Sequence, residues 1–345
     1  MNYVVQDKSS VRDALKALNE LSHYGLTLFV LDSKQRALGV LTDGDIRRAL
    51  INGVGVDAPV TEAMNVNFVS FRANDKDIVH TFREVKAKGV RVIPVLDDEG
   101  HLVDVIDSFV KSSVLPVDAV LMAGGKGERL RPLTEKTPKP LLPVGDKAII
   151  DHNIDRLINY GVNHINVTVN YLGEKLEEHF AEPHNGVQVQ TVREPKYLGT
   201  IGSIKFVKKF YNDTVLVMNS DLFTNINYED FYLHFIEHDA EMSVAAVPYT
   251  VSVPYGIFDL KGREIQGLIE KPTYNYYANA GIYLIKKSAL EEIPENAFFN
   301  ATDLIEKLIS EGKKVIRFPL NGTWIDIGNP QDYAKAKDLV KHIMK

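Results

Sequence analysis

The 345-residue chain contains no cysteine. That excludes disulfides, thiolate metal sites and a catalytic thiol. No apolar run approaches the about 18 residues that a membrane span needs, so no membrane partner is expected. The opening segment, MNYVVQDKSS, has neither the basic start nor the apolar run of a signal peptide, and a cytoplasmic location is expected. Positive charge is in short supply as well. Forty Lys and Arg stand against 46 Asp and Glu, leaving a net charge of −6. A surface built to hold a nucleic-acid backbone is thereby excluded, although a local basic pocket is not. The ten histidines form no motif spacing, and no Ser/His/Asp constellation stands out. What remains is ordinary for a globular protein, with 45% hydrophobic and 25% charged residues. At roughly 100–200 residues per domain, the length suggests two or three domains.

An internal repeat fills the first third. FVLD at Phe29–Asp32 and GVLTDGD at Gly39–Asp45 are answered by PVLD at Pro94–Asp97 and HLVDVID at His101–Asp107. Each pair follows a helical pattern: Val11, Ala14, Leu15, Leu18 and Leu21 in the first unit, Ile78, Phe82 and Val85 in the second. The order helix–strand–turn–strand–helix is therefore expected twice, in a domain spanning 1–115. A second domain, 116–345, begins beside Pro116. Asp118–Met122 reads as a buried strand running into a glycine-rich turn. Helix and strand patterns alternate after it: Ile150, Ile154, Leu157 and Ile158 on a helix face stopped by Gly161, strands at 165–169, 187–192 and 214–218, and a helix at 172–180. Alternation of this kind predicts an α/β fold, a Rossmann-like, mostly parallel sheet with helices on both faces. Ligands on such sheets sit at the carboxyl ends of the strands.

The turn after the first of these strands reads Ala123-Gly124-Gly125-Lys126-Gly127-Glu128-Arg129-Leu130-Arg131-Pro132-Leu133-Thr134. Glycine lets backbone N–H groups approach an anion, and guanidinium suits phosphate oxygens. The loop fits neither the Walker pattern nor GxGxxG, which argues against a dinucleotide-dependent oxidoreductase. Alone, it is as readily a structural turn. It is followed, however, by Thr137-Pro138-Lys139-Pro140-Leu141-Leu142-Pro143-Val144, where three prolines stiffen the chain around one lysine. A cation held so rigidly needs little reorganisation when phosphate arrives.

GGxGxRLxPLT followed by PKPLLPV resembles the signature of the sugar-1-phosphate nucleotidyltransferases, and the similarity continues to about Tyr333. The resemblance implies that Ala123, Gly124, Gly125, Gly127 and Arg129 hold a nucleoside triphosphate and that Lys139 contacts the reacting phosphates. It implies a Mg²⁺ cofactor on Asp221, after the apolar run TVLVM, and Asp326, in TWIDIGNP. Three further stretches resemble the family's sugar-phosphate pocket: Glu194 to Gly202, with Gly199 and Thr200, where Ile201 replaces the usual alanine; Glu270-Lys271-Pro272; and Asn279-Ala280-Gly281. Glu194, Glu270 and Asn279 would meet sugar hydroxyls, and Lys271 the phosphate. Arg129, Lys139 and Asp221 are then the catalytic set. The implied reaction transfers a nucleoside monophosphate to a sugar 1-phosphate with release of pyrophosphate, with GTP the favoured donor and mannose, glucosamine or a heptose the candidate sugars.

The front repeat resembles a tandem CBS pair, which implies either an adenine nucleotide between the repeats or a purely structural, dimerising role, and a homodimer or larger homo-oligomer. The family's Thr/Ser-x-x-Asp ribose pattern is matched by Thr42 and Asp45, whereas repeat two offers Asp104 and Asp107. The competing reading is a regulatory nucleotide-binding protein whose transferase domain is degenerate and non-catalytic. Intact Arg129, Lys139, Asp221 and Asp326 argue against it.

Overall fold

In a computed structural model, which describes residues 3–21, 25–72, 75 and 77–343, the chain divides into two units, Met1–Val114 and Leu115–Lys345. No helix among the described residues is long and apolar enough to cross a membrane.

The first unit is built twice over from one small sheet. Strand β1 (Val4–Gln6) lies parallel to β2 (Thr27–Leu31), which pairs antiparallel with β3 (Ala37–Thr42). Strands β4 (Phe71–Arg72), β5 (Val92–Leu96) and β6 (Leu102–Asp107) repeat that arrangement. Helix α1 (Val11–Glu20) buries Val11, Ala14 and Leu18, and α3 (Ile78–Ala87) buries Val79, Phe82 and Val85. The two β-turns join reciprocally. Ala37 N–H donates to the Gly100 carbonyl (3.0 Å) and Leu102 N–H to the Gln35 carbonyl (3.3 Å). Asp32 and Asp97 brace these turns in the same way, each accepting backbone N–H groups two and four residues ahead.

The register corrects two expectations. Thr27 faces Thr42 and Val92 faces Asp107, so one repeat maps onto the other at a constant offset that places Asp107, not Asp104, opposite Thr42. Val110 then stands where repeat one has Asp45. Among the described residues, the second repeat also has no closing helix. In repeat one, Thr42 caps α2 (Asp43–Ile51): its hydroxyl accepts the Asp45 N–H (3.2 Å), and the Asp45 carboxylate accepts the Thr42 N–H (2.9 Å). This reciprocal capping box satisfies two backbone donors that a helix start leaves unpaired. Val110 has no carboxylate to close such a box, and the chain after β6 makes only a turn on Asp107. Thr42→Ala is therefore expected to lower the stability of the first unit by about 1 kcal/mol, read as a shift in denaturant midpoint. An unchanged midpoint would show the cap to be idle.

The second unit centres on a seven-stranded sheet, ordered β11-β10-β7-β12-β17-β14-β18. Its members are β7 (Val117–Ala123), β10 (His164–Val169), β11 (Val189–Arg193), β12 (Thr214–Asn219), β14 (Met242–Ser252), β17 (Thr273–Lys286) and β18 (Val315–Pro319). Only β17 runs against the others. Short ladders lie outside this sheet: β8 (Pro143–Val144) with β9 (Lys147–Ala148), β13 (Leu222–Thr224) with β19 (Trp324–Asp326), and β15 (Ile257–Lys261) with β16 (Glu264–Ile269). Helices α4 (Ile149–Asn159), α5 (Gly173–His179), α6 (Tyr228–Glu237), α7 (Ala301–Ser310) and α8 (Pro330–Ile343) complete the unit. Leu304 and Leu308 of α7 pack with Val120, Val215, Val217 and Ile285 on one face. Tyr228 of α6 reaches Met218, which points to the other. The α/β class with a mostly parallel sheet thus stands as expected, and both faces are covered as such a sheet requires.

Candidate active site

Strand β7 delivers the glycine loop and β12 delivers Asp221, side by side at their carboxyl ends. Ser220 fixes the junction: both its N–H (3.2 Å) and its hydroxyl (2.7 Å) donate to the Met122 carbonyl. Two of the loop glycines are required by their surroundings. A Cβ on Gly124 would lie 2.2 Å from Glu194 Oε1, and Gly127 has φ +62° with Lys139 and Thr134 against it. The buried Thr134 hydroxyl donates to the Gly127 carbonyl (2.8 Å) and pins the loop's far end.

Lys139 opens a single 3₁₀ turn, Lys139–Leu141, between Pro138 and Pro140. Its side chain is nine-tenths buried, and Nζ makes an ion pair with Asp221 Oδ2. The other carboxylate oxygen, Asp221 Oδ1, is buried and has no hydrogen-bond partner. Asp326 comes from far along the chain. The antiparallel β13–β19 ladder pairs Leu222 with Asp326, and Ile327 N–H donates to the Asp221 carbonyl (3.2 Å). Burial raises the Asp326 carboxyl above its ordinary 3.8, and the charge of Asp221 raises it further; Lys139 and Arg129 oppose the shift. The Arg129 guanidinium packs on Gly328, where a Cβ would meet it at 3.1 Å.

These residues fit a hard divalent cation. Two carboxylates from separate strands repel one another, one oxygen is buried without a partner, and oxygen donors are what Mg²⁺ takes. Among the described residues, the three-ligand group Asp97, Glu99 and His101 lies elsewhere, in the β5–β6 turn, and its hydrogen bonds are those of the turn.

Glu194 closes the opposite side. It is 4% exposed, accepts the Leu198 N–H (3.1 Å), and burial raises its carboxyl. Gly199 and Thr200, expected at the sugar-phosphate pocket, also have structural partners. Gly199 has φ +81° with the Phe299 carbonyl 2.6 Å from any Cβ, and the Thr200 hydroxyl accepts the Ala301 N–H (2.9 Å) at the start of α7. Both secure the loop that carries Glu194. Asn279 braces its own strand, accepting the Gly281 N–H (2.9 Å) and donating to the Tyr283 hydroxyl (3.0 Å). Glu270 and Lys271 are exposed at the foot of the β15–β16 hairpin, and among the described residues neither bonds to the Asp221–Asp326 pair. Gly328 and Ser220 were not singled out in the sequence. Gly328 follows the metal-type aspartate by two residues, which is the only local signal it offers.

The family model for nucleotidyl transferases matches residues 118–342, and the CBS domain model matches residues 2–52. The chain is 28% identical to the "Mannose-1-phosphate guanylyltransferase catalytic subunit beta" of Xenopus tropicalis, over 62% of each chain. It is 31% identical to the "Bifunctional protein GlmU" of Methanococcus maripaludis, covering 64% of this chain and 54% of that one. It thus spans less than two thirds of the length of either relative. The crystal structure of HddC from Yersinia pseudotuberculosis superposes with a TM-score of 0.52 at 25% identity, covering 65% of this chain and 99% of that one.

Proposed function

The chain belongs to the nucleotidyl transferase family, and from that premise we propose that it joins a nucleoside triphosphate to a sugar 1-phosphate and releases pyrophosphate. One observation carries the reading. Lys139, Asp221 and Asp326 meet in a part-buried group at the carboxyl end of a parallel sheet, with one Asp221 oxygen left without a partner. A phosphate oxygen of the sugar attacks the α-phosphorus, and the bond to the bridging oxygen of pyrophosphate breaks. The nucleophile is already an anion, so no general base is required, and catalysis reduces to alignment and charge neutralisation. Asp221 and Asp326 would hold Mg²⁺, which when bound supplies Lewis-acid stabilisation of phosphoryl oxygens. Lys139 offsets the repulsion between the two polyanions, and Arg129 receives the departing pyrophosphate beside Gly328. The open N–H groups of Gly124 to Gly127 cradle the triphosphate, next to Ala123. Glu194 accepts from a sugar hydroxyl, with Glu270, Lys271 and Asn279 completing the sugar-phosphate side.

Guanosine is the favoured base, because a relative similar over 62% of the chain carries the name of a guanylyltransferase. The first unit would take an adenine nucleotide at Thr42 and Asp45, in competition with the capping box that both side chains already make, and would form a homodimer or larger assembly. A matrix of four nucleoside triphosphates against mannose, glucosamine and heptose 1-phosphates, read as pyrophosphate release with Mg²⁺, tests the reaction. One pair is expected to turn over, with GTP as donor. Silence across the matrix would leave the degenerate, non-catalytic reading standing. Within the active pair, Lys271→Ala is expected to raise KM for the sugar phosphate with little change in kcat. An unchanged KM would make Lys271 a surface charge.

A further inference from the structure

A second polar cleft lies on the same sheet, away from the carboxylate group. It is formed toward the amino end of β10 and along β11, with the segment 206–211 as its outer wall, and has a volume of about 700 Å³. That size lies within the range of small-molecule sites. Asp221 and Gly124 sit instead at the carboxyl ends of β12 and β7.

The floor of the cleft is unusual for a strand inside a parallel sheet. β10 reads His-Ile-Asn-Val-Thr-Val, so one face carries Ile165, Val167 and Val169 and the other His164, Asn166 and Thr168. Asn166 is 9% exposed, lines the cleft, and its carboxamide has no hydrogen-bond partner among the described residues. The amide is not sealed among the buried polar atoms without a partner; it faces the cleft, where its donor and acceptor are open to a polar ligand. Gln190 stands directly opposite Asn166 in the ladder and adds a second carboxamide.

The wall is fixed and its charge has one sign. Buried Asp118 accepts the N–H groups of Tyr211 (2.6 Å) and Asn212 (3.0 Å), which pins the end of the segment. The Tyr211 ring stacks on His164 at 4.0 Å, and Lys209 Nζ sits 4.3 Å from the ring centre. None of the thirteen lining residues is acidic, in a chain whose acids outnumber its bases by 46 to 40. Three are Lys or Arg. Arg193 at the rim is engaged by Glu177, while Lys208 has no partner among the described residues.

We propose that this cleft binds a phosphate monoester with a polyhydroxylated body, its phosphate on Lys208 and Lys209 and its hydroxyls on Asn166 and Gln190. A phosphosugar and a nucleoside monophosphate share that chemistry. The site is independent of the transfer reaction proposed above.

Saturation-transfer NMR on the full chain, with glucose 6-phosphate and GMP as probes and glucose as the unphosphorylated control, tests it. Arg129→Ala impairs the carboxylate site and is expected to leave binding of at least one probe intact at millimolar concentration. Lys208→Glu is expected to weaken that binding about tenfold or more, the scale of one charge-assisted hydrogen bond. Asn166→Leu, which keeps the volume and removes the amide, is expected to weaken it as well, and glucose should not bind. The relative response of the two probes separates a sugar phosphate from a nucleotide. Absence of saturable binding in any chain overturns the proposal and leaves Asn166 to water. So does binding that vanishes with Arg129→Ala and survives Lys208→Glu.

Discussion

Asp326→Asn is expected to lower kcat for pyrophosphate release by about 10²- to 10³-fold while making the metal-free protein more stable at neutral pH. The rate loss follows from ligand chemistry. A neutral amide is a poor Mg²⁺ ligand, and Lewis-acid stabilisation at a phosphoryl centre is worth several kcal/mol. The stability gain follows from the carboxyl's environment, in which burial first and Asp221 second raise it above its ordinary 3.8. A carboxyl raised in the folded state binds its proton more readily there than in the unfolded chain. Its favourable contribution is complete below the ordinary value and is lost as pH climbs through the raised one. At neutral pH the ionised Asp326 therefore weakens the fold, and the uncharged Asn removes that strain. The thermal midpoint in chelator should rise at pH 7 and the difference should fade toward pH 4. Added Mg²⁺ should raise the midpoint of the wild type and not of the variant. Asp221→Asn should lose activity alike, and the double variant should be little worse than either single one, since both carboxylates serve one site. Near-normal turnover of Asp326→Asn at saturating Mg²⁺, or a fall in its midpoint at pH 7, would sink the metal assignment.

How far the site could be read from the sequence depended on whether its parts are local. Helix α4 was legible because Ile150, Ile154, Leu157 and Ile158 mark one face and Gly161, at φ +81°, ends it. Strand β12 was legible because five buried residues in a row leave little else for TVLVM to be. The glycine loop and the Pro-Lys-Pro segment were legible because backbone freedom and stiffness are written in the residue types. The meeting of Asp221 with Asp326 was not, since it depends on a ladder of two three-residue strands 102 positions apart by their first residues, Leu222 and Trp324. Only the family resemblance joined them. Direction in the sheet was hidden for a similar reason. The antiparallel course of β17 follows from its hairpin-like pairing with β14, and its tyrosine- and asparagine-rich first half carries no pattern that fixes it. The second repeat misled because its Asp-x-x-Asp imitates the Thr-x-x-Asp of the first, while the ladder register puts the match three residues on. Gly199 and Thr200 belong to a pocket motif and also serve the fold: the Phe299 carbonyl leaves no room for a Cβ at Gly199, and the Thr200 hydroxyl accepts the Ala301 N–H, neither of which the motif announces.

Lys139→Met is expected to cost both stability and rate, and the two losses should come apart in a double variant. Lys139 is held with its side chain nine-tenths buried and its ammonium on Asp221. Methionine keeps the bulk of the chain and deletes the charge, leaving two neighbouring carboxylates without their cation. Breaking a part-buried pair from one side costs up to about 3 kcal/mol, most of it the penalty on the charge left behind. Adding Asp221→Asn removes that orphaned charge. The double variant Lys139→Met with Asp221→Asn should therefore be more stable than Lys139→Met alone, a coupling visible in a double-mutant cycle of unfolding free energies. Activity should not return with stability. A positioned cation at a transferring phosphoryl group is worth about 10²- to 10³-fold in kcat, and neither variant supplies one. Nucleotide KM should move less than kcat, because the charge matters most as the two polyanions close on one another. The pH profile gives an independent reading. Lys139 opposes the rise of the Asp326 carboxyl, so removing it should move the acid limb of kcat toward higher pH. Additive stabilities across the cycle would mean that Lys139 and Asp221 do not hold one another. A kcat within a few-fold of wild type would mean that the lysine between the two prolines is there for the fold, and the transfer reaction would need another cation.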